Sequence, residues 1–429
     1  MSKNSSTPNS SDSTSQMSSE KLPSIPREIR VLVAAAFVIA LGFGLIAPIL
    51  PQFATSFDVG AAAASVIVSV FAFTRLIFAP VSGKLTDRLG EPAVYVTGVL
   101  IVAASTILCG FAQNYTQLLV FRGLGGLGST MFTVSAMALI ARMSPKDIRG
   151  RIAGLYSGAF LLGNVAGPVM GSLMAGLGFR LPFFIYGGSL VVAAAIVYFS
   201  LSHSNKAQRG ETKETVVPIE RIQLSEAWTF VAFRAALVSG FTNGWMAFGV
   251  RMSLIPLFAV ATFAQHGTLL AGLALAIFAV GNGATLTIAG KLTDTYGRKR
   301  PIIIGLSIAA LSTAAIGWAD NIPLFIALSV IAGIGTGLMG PAQQAAIADV
   351  VGQGRNGGKV LAAFQMATDF GSIIGPILAG LVADQIGYGW AFSMSGALGL
   401  VGVLAWISVK ERTEKAQPSD LPRAKESEK

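Results

Sequence analysis

Twelve long apolar runs alternate with polar segments along the chain. About 20 apolar residues suffice to cross a hydrocarbon core of about 30 Å as a helix. The runs predict spans at 31–52, 62–82, 93–112, 117–140, 152–176, 182–201, 235–260, 268–289, 301–318, 322–345, 359–382 and 389–408. The pattern therefore predicts an all-α membrane protein with twelve transmembrane helices.

The polar segments divide the chain into domains. We expect a disordered cytoplasmic tail at 1–30, a six-helix bundle at 31–201, a cytoplasmic linker at 202–234, a second bundle at 235–408 and a tail at 409–429. Loops on one side carry nearly all of the basic residues, and such loops face the cytoplasm. The sequence therefore predicts a multi-pass protein of the cell membrane with both termini in the cytoplasm.

Composition narrows the function classes. Hydrophobic residues make up 53% of the chain and charged residues only 12%, against about 25% charged in soluble domains. The net charge of +10 lies in short loops, so it indicates topology and not a nucleic-acid partner. The sequence has no phosphate-binding loop, nucleophile constellation or metal-ligand cluster. We expect neither an enzyme nor a cofactor or metal site.

A short charged motif occurs twice, 207 residues apart. The first copy reads GKLTDRLG and the second reads GKLTDTYGRKR. Each copy lies between two apolar runs, so we predict two tight turns with a gating role and a chain built from two related halves. The gating candidates are Gly83, Asp87, Arg88, Gly90, Gly290, Asp294, Gly297 and Arg298.

These motifs resemble those of the major facilitator superfamily, and within it the twelve-span drug:proton antiporters. Arg122, Gly126 and Gly128 are similar to that family's span 4 motif. The span 5 motif, which bends the helix at Gly-Pro, is matched by Gly154, Gly163, Gly167, Pro168 and Gly171. The resemblance implies two pseudo-symmetric six-helix bundles, exchange of a small molecule for protons, and a latch at Asp87 in the outward-open state.

The sequence departs from the family in three places. Glu91 stands where the first loop has a basic residue, Ser172 replaces a Gly, and span 1 has no carboxylate.

Ionisable residues inside a membrane are functional candidates because they are costly to bury. Asp369 lies ten residues after Lys359, or about 15 Å along a helix, near the midplane of the bilayer. It is the deep acid of the sequence and the predicted proton-coupling residue. An alternative is a structural Asp that bonds a neighbouring polar side chain.

Six further residues are candidates for the cavity. The buried bases either contact substrate or bond carbonyl ends, and the aromatic cluster of span 7 either binds apolar or cationic drugs or packs. They are Arg75, Arg122, Arg251, Asn243, Trp245 and Phe248. We expect a monomeric, proton-coupled exporter of small hydrophobic or cationic compounds. The alternatives are a transporter of anionic or polar metabolites, suggested by the buried arginines, and a membrane sensor, which the lack of a soluble domain disfavours.

Overall fold

A computed structural model describes residues 25–144, 148–204, 222–352, 355 and 357–409. Twelve helices in this part of the chain are long and apolar enough to cross a membrane. They are α1 (Arg27–Ile46), α2 (Ala61–Leu89), α3 (Glu91–Phe111), α4 (Tyr115–Met143), α5 (Arg149–Ala175), α6 (Leu181–Ser204), α7 (Val231–Phe263), α8 (Gly267–Tyr296), α9 (Lys299–Ile316), α10 (Ile322–Val351), α11 (Gly358–Ile386) and α12 (Tyr388–Ile407). Each predicted span has its helix, and the all-α prediction is confirmed.

The two charged motifs differ from their prediction as tight turns. Residues 83–89 continue α2, and 290–296 continue α8. Both helices end where a glycine takes a positive φ, 83° at Gly90 and 80° at Gly297. A glycine in that conformation terminates a helix without steric cost. The turn is therefore confined to the last glycine of each motif, and the acid of each motif lies exposed near the end of its helix.

Helix α7 is continuous in direction but not in its hydrogen-bond pattern. It consists of an α-helical segment, Val231–Asn243, a π-helical segment, Gly244–Val250, and a second α-helical segment, Arg251–Phe263. A π-helical turn shifts the angular register of the residues that follow it, and such turns are frequent at functional sites. The side-chain directions along α7 therefore differ from those of a uniform α-helix.

The helices pack in two pseudo-symmetric bundles. In the first, α1 packs on α5 and α6, and α4 packs on α2 and α3; in the second, α7 packs on α11 and α12, and α10 packs on α8 and α9. Matching glycines allow the closest approaches. A Cβ added at Gly98 would lie 2.7 Å from the carbonyl oxygen of Gly128, and one at Gly305 would lie 2.6 Å from that of Gly335. The second pair follows the first by 207 residues.

An ion pair joins the same two helices in each bundle, with the charges reversed. Arg142 at the end of α4 lies 3.2 Å from Glu91 at the start of α3. In the second bundle Arg298 precedes α9 and lies 2.8 Å from Asp349 of α10. Positions 298 and 349 follow 91 and 142 by 207 residues. The departure at Glu91 is thus compensated by a base at the other end of the pair.

The two bundles contact each other on the side opposite the charged motifs. Helix α2 packs on α11, and α8 packs on α5. Thr268, at the start of α8, donates a hydrogen bond of 2.8 Å to Gln52 of the other half. On the motif side, a Cβ added at Gly83, Gly154 or Gly290 would meet no atom within 4 Å. The structure is therefore closed on one side and open on the motif side.

The segment before α7 is fixed to the second bundle on the motif side. It forms a short helix, Leu224–Thr229, in which Ala227 is fully buried. Arg355 donates two hydrogen bonds, of 2.7 and 2.8 Å, to the carboxylate of Glu226. These bonds hold the pKa of Glu226 below its ordinary value. The ion pair connects the loop after α10 to the entry of α7.

Candidate functional site

A cavity of about 300 Å³ lies between the two bundles. The first bundle contributes residues of α1, α2 and α4, and the second contributes residues of α7 and α11. Its polar lining consists of Arg75, Arg122, Gln365, Thr368, Asp369 and Ser372, and its apolar lining includes Phe43, Val68, Phe71, Phe248 and Met252. Apolar walls with a few convergent polar groups are typical of sites for small molecules.

Asp369 enters this cavity from α11 and is held by its own helix. Gln365 lies one turn earlier and donates a hydrogen bond of 2.9 Å from Nε2 to Oδ1 of Asp369. Ser372 donates a bond of 2.8 Å to the backbone carbonyl of Asp369. The second carboxylate oxygen has no hydrogen-bond partner among the described residues. One oxygen is therefore oriented and the other is available to a proton, water or substrate.

Arg75 lies on the opposite wall, on α2, and attracts the carboxylate of Asp369 electrostatically. In the described structure, no nitrogen of Arg75 lies within 4.0 Å of a carboxylate oxygen of Asp369, so the two side chains do not form an ion pair. The cavity thus separates an acid and a base that belong to different bundles. A molecule or a proton bound between them would change the attraction between the bundles.

Arg122 is the second base of the cavity. Only 7% of its surface is exposed, and its guanidinium carbon lies 4.1 Å from the ring centroid of Phe71 and 5.8 Å from that of Phe43. Cation–π contacts of this kind are worth about 0.5–2 kcal/mol, depending on desolvation. The buried Nε of Arg122 has no hydrogen-bond partner in the described structure. The buried cation thus keeps one donor unsatisfied in this conformation.

Arg251 repeats this stacking in the second bundle but lies behind the cavity wall. Its guanidinium carbon is 4.0 Å from the ring centroid of Phe278, the residue 207 positions after Phe71. Arg251 is 3% exposed, and its Nε and Nη1 have no partner among the described residues. It is absent from the cavity lining, whereas Phe278 lines an adjoining cavity of about 420 Å³. Phe278 therefore separates Arg251 from the open space.

The aromatic cluster predicted on α7 is divided by the structure. Phe248 lines both cavities, as its predicted role requires. Trp245 is directed away from them: it is buried, and its indole Nε1 donates a bond of 3.0 Å to Ser395 of α12. The amide oxygen of Asn243 is buried without a hydrogen-bond partner. Neither Asn243 nor Trp245 lines the two cavities in this conformation. The contact with Gly375 of α11 and the bond to α12 hold the indole of Trp245 away from them.

The structure adds cavity residues that the sequence analysis missed. Gln365 bonds Asp369, and its i, i+4 spacing from that acid was a usable signal. Polar side chains from both bundles line the adjoining cavity, and they had no distinguishing pattern in the sequence. They include Ser129, Thr133, Asn164 and Asn282.

The predicted bend residues of α5 form a contact surface for α1. Pro168 lies inside α5, and each of Gly163, Gly167 and Gly171 approaches the backbone of α1 so closely that a Cβ would collide. In the second bundle Gly371 and Gly375 of α11 meet α7 at Phe241 and Trp245 in the same manner. Gly154, the first residue of the predicted motif, faces open space. The small residues therefore set the spacing of two helix pairs that carry cavity residues.

The acids of the two charged motifs are exposed in this conformation. Neither Asp87 nor Asp294 makes a hydrogen bond or ion pair with the described part of the chain. Their glycines, Gly83 and Gly290, likewise face open space. Arg298 is engaged in the ion pair with Asp349, whereas Arg88 lies exposed in the last turn of α2. The motif residues therefore make no contact between the two bundles in this conformation.

Comparison with known proteins now identifies the family. The sequence profile of the Major Facilitator Superfamily matches residues 32–269 and 241–427. The chain belongs to this superfamily. It is 27% identical to multidrug resistance protein 1 of Bacillus subtilis (strain 168) over 386 residues, 88% of this chain and 96% of that protein. It is 25% identical to the quinolone resistance protein NorA of Staphylococcus aureus (strain MRSA252), covering 92% of this chain and all of that one.

Solved structures of superfamily members share the fold. A bacterial homolog of the human lysosomal transporter Spinster, in an inward-facing and unoccupied conformation, aligns with a TM-score of 0.72 at 17% identity, covering 89% of this chain and 94% of that chain. The nucleoside transporter NupG aligns with a TM-score of 0.68 at 14% identity, over 89% and 98% of the two chains. The protein is a multi-pass membrane transporter of small molecules and not an enzyme.

Proposed function

We propose that this transporter exports small hydrophobic or cationic compounds in exchange for protons, by alternating access at the cavity between its bundles. The observation that carries the proposal is Asp369, an acid with one unbonded oxygen in a cavity with largely apolar and aromatic walls. Such walls suit apolar and cationic drugs. The names of the relatives, multidrug and quinolone resistance proteins, support this class.

The exchange follows from competition at one carboxylate. A cationic or hydrogen-bonding substrate that pairs with ionised Asp369 is displaced when a proton binds there. Because substrate and proton cannot bind Asp369 at the same time, the carrier exports the substrate, releases it, and returns with a proton bound. Arg75, on the opposite bundle, attracts the carboxylate only while Asp369 is ionised, so protonation also changes the force between the bundles.

The side that is open in this structure is proposed to face the cytoplasm. Basic residues are concentrated in the loops of that side, where they follow the positive-inside rule. They include Lys84, Arg88, Lys291, Arg298, Lys299, Arg300 and Arg355. In this orientation the open cavity would load substrate from the cytoplasm, both termini would lie inside the cell, and the closed side would face outward. We further propose that the protein works as a monomer.

A second candidate is a carrier of anionic compounds, and Arg122 is the observation that favours it. The cavity lining carries two bases and one acid, and a buried donor of Arg122 is unbonded. The two candidates differ in the sign of their pH dependence. A substrate that pairs with Asp369 binds more weakly as the pH falls. An anion that pairs with Arg75 binds more tightly, because protonation of Asp369 removes the competing negative charge.

Purified protein in proteoliposomes tests the proposal. Substrate-induced pH change is measured across a panel of cationic, neutral and anionic compounds. Asp369→Asn should abolish substrate-driven proton movement while binding and downhill exchange persist, and Asp369→Glu should retain part of the activity. Asp320→Asn is the matched control, because Asp320 is exposed and does not line the cavity. Undiminished proton movement in Asp369→Asn would refute the proton-site assignment.

A further inference from the structure

Asp384 makes a contact between the bundles that the transport cycle above does not account for. It lies in the last turn of α11, on the closed side. Its Oδ1 accepts a bond of 2.8 Å from the backbone N–H of Ala61, and its Oδ2 accepts one of 2.9 Å from that of Ala62. Ala61 and Ala62 are the first two residues of α2, so the carboxylate of one bundle caps a helix of the other.

Three effects stabilise this cap, whose carboxylate is exposed to solvent. The first N–H groups of a helix have no partner in their own helix. A carboxylate there also interacts with the positive end of the helix dipole, and hydrogen bonds to a charged acceptor are stronger than neutral ones. The residue before the helix, Gly60, makes no side-chain cap. The N-terminus of α2 therefore depends on Asp384 for capping in this conformation.

The surrounding glycines fit this contact. A Cβ added at Gly60 would lie 2.7 Å from a carboxylate oxygen of Asp384. A Cβ added at Gly380, one turn earlier on α11, would lie 2.7 Å from Cα of Ala62. Both glycines let the two backbones approach until the bonds form. The close approach is lost as soon as the bundles separate on this side, and the bonds are lost with it.

The contact is not repeated by the pseudo-symmetry. The matched Gly-Pro positions of α5 and α11 are 208 residues apart, so the position equivalent to Asp384 is Gly176, an exposed residue after α5. The corresponding junction of α5 with α8 is formed by Gly272 against Ser172 and Pro168, with Thr268 bonded to Gln52 nearby. The charged cap therefore acts at one of the two symmetry-related junctions.

We propose that Asp384 and the N-terminus of α2 form a latch that holds the closed side shut and thereby stabilises the conformation open on the motif side. The latch rests on the alternating-access cycle proposed above. It opens when the bundles part on this side, leaving the carboxylate and two N–H groups to water. Weakening it shifts the equilibrium toward the opposite conformation, whichever substrate the transporter carries.

The test measures the two conformations by distance. Cys109 is the single cysteine, so Cys109→Ser gives a background for paired spin labels. One pair at Leu155 and Leu361 reports the motif side, and a second at Leu177 and Ile322 reports the closed side. These four residues are exposed and belong to opposite bundles within each pair. Pulsed electron resonance in nanodiscs then gives the population of each conformation.

Asp384→Ala and Asp384→Asn remove or weaken the acceptor, and Ala61→Pro removes one donor. Proline is well tolerated at the first position of a helix, and Gly60 has the extended backbone that a following proline requires. The fold should therefore persist in Ala61→Pro. We expect each change to raise the ratio of motif-side-closed to motif-side-open molecules about tenfold, equivalent to about 1.4 kcal/mol. Asp58→Asn, which removes a nearby exposed charge without a bond to α2, should leave the ratio unchanged.

The double variant makes the result decisive. Because Asp384→Ala and Ala61→Pro break the same contact, their combination should shift the ratio little more than either alone. The latch would be overturned if two conformations are observed but their populations are the same in wild type, Asp384→Ala and Ala61→Pro. A single, invariant distance in every variant would instead overturn the alternating-access cycle.

Discussion

The sign-reversed ion pairs predict that charge can be exchanged between the two bundles. Glu91→Arg places a second base beside Arg142, whose guanidinium lies 3.2 Å from the carboxylate of Glu91. Arg142→Asp in addition should restore the pair in the orientation that Arg298 and Asp349 already use. The double variant thus gives the first bundle the same charge order as the second. It tests whether the pair stabilises the protein irrespective of which helix carries the base.

The expected magnitude follows from distance and exposure. Unit charges at about 4 Å interact by about 1 kcal/mol in water. The side chains of Arg142 and Glu91 are 49% and 22% exposed, and exposed pairs contribute about 0–1 kcal/mol. Loss of attraction and gain of repulsion should therefore destabilise Glu91→Arg by about 1 kcal/mol. Arg142→Asp should recover most of that amount.

Thermal unfolding of the purified protein in detergent measures both variants and the Arg142→Asp single variant. We expect the single changes to lower the melting temperature by roughly 1–3 °C, since long chains shift little per kcal/mol. The coupling should fall with added salt, which screens exposed pairs. A double variant no more stable than the two single effects combined would show that the ion pair contributes nothing to the junction of α3 and α4.

Three further predictions concern the motifs and the linker. Asp87→Asn should leave folding unchanged, because Asp87 is exposed here, but should severely reduce transport, with a smaller loss for Asp294→Asn. Equal transport by wild type and both variants would show that the motif serves topology alone. Gly98→Val should destabilise the protein by about 1–3 kcal/mol through overpacking against α4, whereas Gly83→Ala, which meets no atom within 4 Å, should not lower the melting temperature. The lowered pKa of Glu226 means that its ion pair with Arg355 stabilises the fold above the ordinary carboxyl pKa and is lost as the pH falls through the lowered value. Proteolysis of the linker should accordingly accelerate at acidic pH in wild type but not in Glu226→Gln.

Much of the fold could be predicted from the sequence, because apolar length alone determines where a helix crosses a membrane. The helix that carries Asp369 also followed from this pattern, and the structure places the residue in the cavity lining. The directions of side chains on α7 did not. Trp245 and Phe248 are three residues apart, yet one is buried against α12 and the other lines the cavity. The π-helical segment that contains both residues has no sequence signature, and it changes the register that a helical projection assumes.

Contacts between helices were partly recoverable from the repeat. Glu91 with Arg298, and Arg142 with Asp349, stand 207 residues apart with opposite signs. A paired reversal of this kind predicts that the two positions of each bundle touch, and the structure contains both ion pairs. The cap at Asp384 had no such signal, since its partners are backbone groups of α2.

The charged groups of the cavity lie where the two halves cease to match. The position equivalent to Asp369 is Leu161, and those equivalent to Arg75 and Arg122 are Asn282 and Ser329. The helix contacts and the glycine pairs, in contrast, recur in both bundles. Symmetric packing gives two bundles that can rock against each other about one axis. In the proposed exchange, the asymmetric charges would give the proton and the substrate different partners on the two sides of that axis. A carrier of this design can change its substrate by substituting cavity residues without altering the motion, because the two properties reside in different side chains.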